Sequence, residues 1–289
     1  MTQIFSKHII LPLLFVTLYG SGFVGAKLGL PYAEPLTFLV WRFALTTMLL
    51  IFIAIILGSP WPRQIKVVGH IMVAGLLMQA TFSAGVFVAI NLGISPAISA
   101  LIIALQPILV ALGAGFVLNE VVGLRQWVGL LLGLIGVAFV VSHNLTFSHA
   151  HIVGIMMAFI GLFGLTAGNL YQKRFCASMD IFTGGVIQSI AAFSAILILA
   201  LLFESMHINW TSSFLFALLW MSVVVSIGAV SILYLLIRHR EVNQVASIFY
   251  LVPVSTTILS FAIYNQTIGS LELLGMLITA LGVILVTKK

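Results

Sequence analysis

Arg42 stands six residues inside an apolar run that begins at Leu36, the one ionisable side chain placed well within such a run. At about 1.5 Å per helical residue it lies roughly 9 Å into a lipid layer. A guanidinium there costs about 2–3 kcal/mol on insertion scales, and it cannot escape by losing its proton. Two outcomes are open. The side chain snorkels to the headgroups as an anchor, or it turns inward and is met by carbonyls, water or a substrate carboxylate. Amides, hydroxyls and phenols recur on neighbouring runs at helical spacing. Gln79 and Ser83 are one turn apart, and Ser99, Gln106 and Gly113 form a seven-residue stripe that leads to Glu120. Thr166, Asn169 and Gln172 follow at three-residue steps, and Thr17, Ser21, Ser231, Tyr234 and Tyr250 add single groups. Polar side chains in a bilayer face the bundle interior or a watery cavity. These stripes therefore predict one polar binding cavity, unless the groups only hydrogen-bond across helix contacts. Such chemistry binds a small solute and fits many of them.

Catalytic chemistry has no comparable footing. The sequence lacks H-E-x-x-H, a phosphate-binding loop and a glycine-rich dinucleotide fingerprint. All six carboxylates, Glu34, Glu120, Asp180, Glu204, Glu241 and Glu272, fall in loops or at the ends of apolar runs. No Asp, Glu or His lies clearly inside a run, which predicts uncoupled exchange, or weak coupling through end groups such as Glu120. His143, His149 and His151 crowd one loop but lack a fourth ligand or fixed scaffold, so they read as solvated and no metal or cofactor is expected.

The elements that must position these groups are membrane spans. The chain is 62% hydrophobic and 6% charged, with a mean hydropathy of +1.27, whereas a soluble domain is about a quarter charged. A sequence pI near 9.7 does not indicate nucleic acid, because the basic residues are scattered singly and in pairs between apolar runs. Cys176 is the only cysteine, so no intramolecular disulfide forms. Runs of about 20 apolar residues lie near 9–28, 36–57, 68–90, 96–117, 124–142, 152–172, 181–203, 213–236, 243–263 and 270–286. With a cytoplasmic N-terminus, the inner side holds Lys7, Arg63, Lys66, Arg125, Lys173, Arg174, Arg238, Arg240, Lys288 and Lys289, against Lys27 outside. That bias places both termini in the cytoplasm.

The chain also repeats itself. Displaced by 146 positions, residues 1–143 fall on 147–289 without a gap: Gly22 meets Gly168, Lys27 meets Lys173, Thr37 meets Thr183 and Pro107 meets Pro253. Five spans per copy is an odd number, so the second copy enters from the opposite side. The expected fold is thus all-α and integral to the membrane, with ten transmembrane helices in two inverted five-helix repeats. Inverted repeats that meet at mid-membrane are how many secondary transporters build one site for two gates. Pro107 and Pro253 each remove a backbone donor inside a span and predict kinks that free the carbonyls of Ile103 and Phe249. Such kinks serve gating, or packing alone. The G-x-x-x-G spacings at Gly129/Gly133 and Gly164/Gly168 indicate close packing inside the bundle more than dimerisation, leaving a monomer or homodimer.

The chain resembles the drug/metabolite transporter superfamily, in particular its EamA-type ten-helix members. The resemblance rests on Tyr19-Gly-Ser-Gly-Phe-Val-Gly-Ala-Lys27, Phe38-Leu-Val-Trp-Arg-Phe43, Ser99 through Gln106-Pro107, Asn119-Glu120, and Gln126-Trp-Val-Gly129 through Gly136-Val137. Asn119 stands where the family usually has Gly, and Gln266 stands at the second copy's carboxylate position. The resemblance implies export or exchange of small metabolites, often amino acids, across the bacterial inner membrane. A passive channel or a non-catalytic membrane subunit is the competing class.

Overall fold

The computed structural model describes residues 2–94, 96–118, 122–141, 150–239, 242–264 and 269–287. Among them there are helices and no strand, with a single isolated bridge between Ala33 and Ile208. Lipid offers the backbone no partner, so an apolar run satisfies its amides by coiling on itself. Among the described residues, seven stretches are long and apolar enough to cross a membrane: Ile10–Gly29, Pro35–Ile56, Ile65–Asn91, Ser99–Leu118, Ile152–Phe175, Ile181–Phe203 and Ser212–His239. Three shorter apolar helices, Leu124–Phe139, Gln244–Leu259 and Leu273–Val286, lie between and after them.

The unbroken helices are α1 (Thr2–Gly29), α2 (Pro35–Ile56), α7 (Leu124–Val141), α8 (Ala150–Phe175), α9 (Ile181–Phe203) and α14 (Ser270–Thr287). Two runs read from the sequence as plain spans carry a π-helical insert instead. In one, α3 (Ile65–Gly75) passes through a π segment at Leu76–Thr81 into α4 (Phe82–Asn91). In the other, α10 (Ser212–Leu219) passes through Trp220–Ala229 into α11 (Val230–His239). The Thr81 hydroxyl donates to the Leu76 carbonyl five residues back at 2.9 Å, the i to i+5 spacing of a π turn. Helix–helix contact helps set the insert, because a Cβ on Gly75 would come within 2.5 Å of the Gln188 Cα.

The proline sites break their helices outright. α5 (Pro96–Ile103) stops and α6 (Gln106–Leu118) restarts one residue before Pro107; α12 (Val242–Ile248) stops and α13 (Leu251–Tyr264) restarts two residues before Pro253. An interior proline removes an amide donor and its ring crowds the carbonyl four residues back, which kinks or breaks a helix. Pro12 is accommodated inside α1, whereas the helices break just before Pro107 and Pro253. One expectation is corrected here: the Phe249 carbonyl is not free, because a tight turn brings the Val252 amide to it at 3.0 Å.

Two helix pairs frame the interior. α7 and α14 pack through Gly129, Gly133 and Gly282; a Cβ on Gly282 would lie 2.5 Å from the Gly133 amide nitrogen and 2.6 Å from the Gly129 carbonyl oxygen. Gly164 and Gly168 likewise face Thr81 and Met78, so both G-x-x-x-G spacings are used within the chain. α2 and α9 cross at Phe43, whose carbonyl accepts the Ser189 hydroxyl at 3.3 Å. The Glu204 carboxylate accepts the Leu36 and Thr37 amides and the Thr37 hydroxyl at 2.7–2.8 Å, capping α2 from the far end of α9. Glu34 returns the contact by accepting the amide and hydroxyl of Ser205 at 2.8 and 2.7 Å. At the other end of the pair, Asp180 caps α9 through the Phe182 and Thr183 amides, and the Thr183 hydroxyl donates to the Pro60 carbonyl at 2.8 Å.

Candidate functional site

A partly open cavity lies where α1, α2, α4 and the second π segment meet. Glycines admit the close approach of α1: a Cβ on Gly22 would lie 3.2 Å from Val225, and one on Gly25 would lie 2.8 Å from the Met221 sulfur. From α1 come Tyr19, Gly22, Phe23 and Ala26; from α4 come Phe82, Ser83, Val86 and Phe87; Met221 and Val225 close the wall. Arg42 is its one charged lining residue among those described, and it is 6% exposed. Its Nε donates to the Ser226 hydroxyl at 2.9 Å. Its carbonyl accepts the Ser222 hydroxyl at 3.3 Å, which ties the same stretch to the π segment. The guanidinium also lies over the Phe43 and Phe87 rings, 5.4 and 6.0 Å from their centroids. The side chain is therefore folded into the protein and does not snorkel.

No carboxylate among the described residues pairs with that charge, since Glu34, Asp180 and Glu204 are engaged at helix ends. Tyr19 is held by rings: it stacks on Phe82 at 6.1 Å and meets Phe249 edge-on at 5.3 Å. Phe249 belongs to the break between α12 and α13, so the wall of the cavity touches the broken segment that Pro253 creates.

A second polar group lies outside the cavity lining. Gln79, on the first π segment, donates to the Tyr234 hydroxyl at 3.1 Å and to the Gln188 side-chain oxygen Oε1 at 3.4 Å. The Tyr234 hydroxyl also donates to Gln188. The Gln188 amide nitrogen donates to the Gln172 oxygen at 2.8 Å, and Gln172 reaches the Met179 sulfur at 3.5 Å. Four elements are thus joined by one network around a fully buried amide. The sequence stripes found Gln79, Gln172 and Tyr234 and missed Gln188, a lone amide in the apolar α9. Its signal was present: Gln188 is the residue on which Arg42 falls when the chain is displaced by 146 positions.

The remaining expected residues do not join either group. Ser99, Gln106, Asn169 and Tyr250 are each fully buried, and the Ser99 hydroxyl, both polar atoms of the Gln106 and Asn169 amides, and the Tyr250 phenol lack hydrogen-bond partners. Of the hydroxyls, Thr17 and Thr166 donate to carbonyls four residues back, and Ser21 donates to Leu18 while accepting the Trp220 indole N–H at 2.9 Å. Glu120, His143 and His149 lie outside the described residues, as does the side chain of His151. Among the described residues no cluster of His, Cys, Asp and Glu stands ready for a metal ion. One titratable group expected to be absent is present: His70 sits within α3, its Nδ1 2.6 Å from the Tyr171 hydroxyl and its ring stacked on Phe175 at 4.7 Å.

Comparison with known proteins places this architecture. The chain is 27% identical over 285 residues to a probable amino-acid metabolite efflux pump of Salmonella typhimurium, covering 94% of this chain and 92% of the pump. It is 26% identical over 280 residues to an uncharacterized transporter, YvbV, of Bacillus subtilis, covering 95% and 89%. One solved crystal structure superposes with a TM-score of 0.80 over 96% of both chains at 17% identity, a likeness of fold alone. The EamA-like transporter family matches residues 6–142 and again residues 152–288. Two matches that together span nearly the whole sequence decide the point: this chain belongs to the EamA-like transporter family.

Proposed function

We propose that the protein is a secondary transporter that needs no ATP and catalyses no reaction. It exports or exchanges small metabolites by alternating access at the Arg42 cavity. In this reading, ten spans form two inverted five-helix repeats, residues 1–143 and 147–289, with both termini on the cytoplasmic face of a bacterial inner membrane. The amino-acid metabolites named for two relatives, from Salmonella typhimurium and Escherichia coli, are one candidate class.

The observation that carries the reading is the buried Arg42 guanidinium, which faces a cavity built from both halves of the chain and has no carboxylate partner among the described residues. A buried charge without a counter-ion is costly, and a site that fills it from solution turns that cost into affinity. Three further facts support the repeat. The family matches begin at 6 and 152 and end at 142 and 288, the same displacement of 146 found in the sequence. The π inserts at Leu76–Thr81 and Trp220–Ala229 overlap under that displacement, as do the breaks before Pro107 and Pro253. Helices interrupted at repeat-related positions are a pointer to the transport site. Reconstitution in liposomes tests the reading. Saturable, solute-specific counterflow is the expected result. Linear, unsaturable flux means a passive channel, and no flux at all means a non-catalytic subunit.

A further inference from the structure

Taking that cavity as the transport site, we propose that it selects organic monoanions. Its preferred solute carries one carboxylate on a compact apolar body, and zwitterions and amines of the same shape are discriminated against.

The inference comes from the charge balance of the walls. Arg42 uses Nε on Ser226, and among the described residues its two terminal nitrogens have no hydrogen-bond partner. Those nitrogens form the end of the guanidinium fork that takes both oxygens of a carboxylate at once. Two hydroxyls on the same walls, those of Tyr19 and Ser83, are also without a hydrogen-bond partner among the described residues. Phe23, Phe82 and Val86 supply apolar surface for the rest of the solute. Positive charge, two hydroxyls and an apolar wall fit a carboxylate with an apolar tail.

An ammonium finds nothing equivalent. No Asp or Glu is among the described lining residues, so a monoanion brings the site to neutrality while a zwitterion leaves it positive. In an α-amino acid the ammonium and carboxylate share a carbon, so binding the carboxylate at Arg42 forces the ammonium close to the guanidinium. The Tyr19 and Ser83 hydroxyl oxygens can accept from an ammonium but carry no charge to offset it, and aromatic faces are the remaining cation acceptors. However, the guanidinium itself already lies over Phe43 and Phe87, and Tyr19 and Phe82 are stacked on each other. Like charges a few ångströms apart with reduced solvent screening repel strongly. Removal of the ammonium from a solute should therefore tighten binding by about tenfold or more.

Three probes built on one phenylethyl group separate the charges: 3-phenylpropanoate, phenylalanine and phenethylamine. Binding to the purified full-length protein is measured by thermal stabilisation and tryptophan fluorescence, for the parent, Arg42→Lys and Arg42→Gln. The expected order is 3-phenylpropanoate about tenfold tighter than phenylalanine, with phenethylamine weakest. Arg42→Lys should keep the order at reduced affinity, and Arg42→Gln should erase it while retaining a normal elution profile. Equal or tighter binding of phenylalanine overturns the proposal and places an acid in the cavity. An unchanged order in Arg42→Gln, or no binding by any probe at millimolar concentration, also overturns it. Counterflow with the same probes keeps the two readings apart. Saturable phenylalanine exchange leaves the transporter standing and the charge selection fallen. Tight 3-phenylpropanoate binding without counterflow does the reverse.

Discussion

The Ser189 hydroxyl donates a hydrogen bond of 3.3 Å to the Phe43 carbonyl, and the two residues stand 146 positions apart, so each is the other's counterpart under the repeat displacement. In the two-repeat reading proposed above, counterparts touch only where the axis relating the copies passes. α2 and α9 are tied there in the middle, and again at each end through Glu204, Glu34 and Thr183. Three separated ties make a pair that slides or tilts with difficulty.

If α2 and α9 move as one body, bridging them leaves function intact. In a Cys176→Ala background, Glu34→Cys and Ser205→Cys joined by a short bis-thiol reagent should retain most of the counterflow of the unbridged protein. Loss of transport on bridging would mean that this end of the pair opens during the cycle.

The Glu204 contact carries stability. Its carboxylate satisfies two orphan amides and a hydroxyl at the start of α2, and losing such a cap costs about 1–2 kcal/mol. Glu204→Ala should lower the unfolding temperature in detergent, and Glu204→Gln should lower it less. Equal melting of Glu204→Ala and parent would show that the cap contributes nothing.

Gly282 is a packing position. Its missing Cβ leaves room for the backbone of Gly129 and Gly133, and forcing an extra group into a packed contact costs about 1–3 kcal/mol. Gly282→Leu should reduce folded protein in the membrane sharply. Gly123→Ala should not, because nothing lies within 4 Å of a Cβ there. Normal yield of Gly282→Leu would refute the close α7–α14 contact.

Much of this arrangement was legible in the sequence, and the misses share a cause. The apolar runs, the paired prolines and the glycine spacings follow from local composition or from the 146-residue displacement, whereas composition left Arg42 open between snorkelling and turning inward. The π inserts did not, because they answer to tertiary contacts such as that of Gly75 on Gln188. The reciprocal contacts of Glu34 and Glu204 join residues about 170 apart and leave no periodic trace. His70 was passed over because it falls close to the start of its run, whereas α3 begins five residues before it. The expected single cavity resolves into a charged pocket at Arg42 and a separate amide network at Gln188.

That network should matter to function. Gln188 bridges Gln79, Tyr234 and Gln172 from a fully buried position, and leaving buried polar partners unmade costs about 1–3 kcal/mol. Gln188→Leu should therefore reduce transport by about tenfold or more, with Tyr234→Phe milder and both reaching the membrane normally. Parental transport by Gln188→Leu would reduce the network to packing.

Two-sided access to the cavity is the most direct test of the account. Ser83 lines it, and replacing the one native cysteine leaves an introduced thiol as the sole target. Ser83→Cys in a Cys176→Ala background is exposed to a membrane-impermeant thiol reagent, first in right-side-out and then in inverted vesicles. Alternating access predicts labelling from both sides, slowed in each case by the transported solute. Labelling from one side alone, under every condition that supports transport, would contradict it.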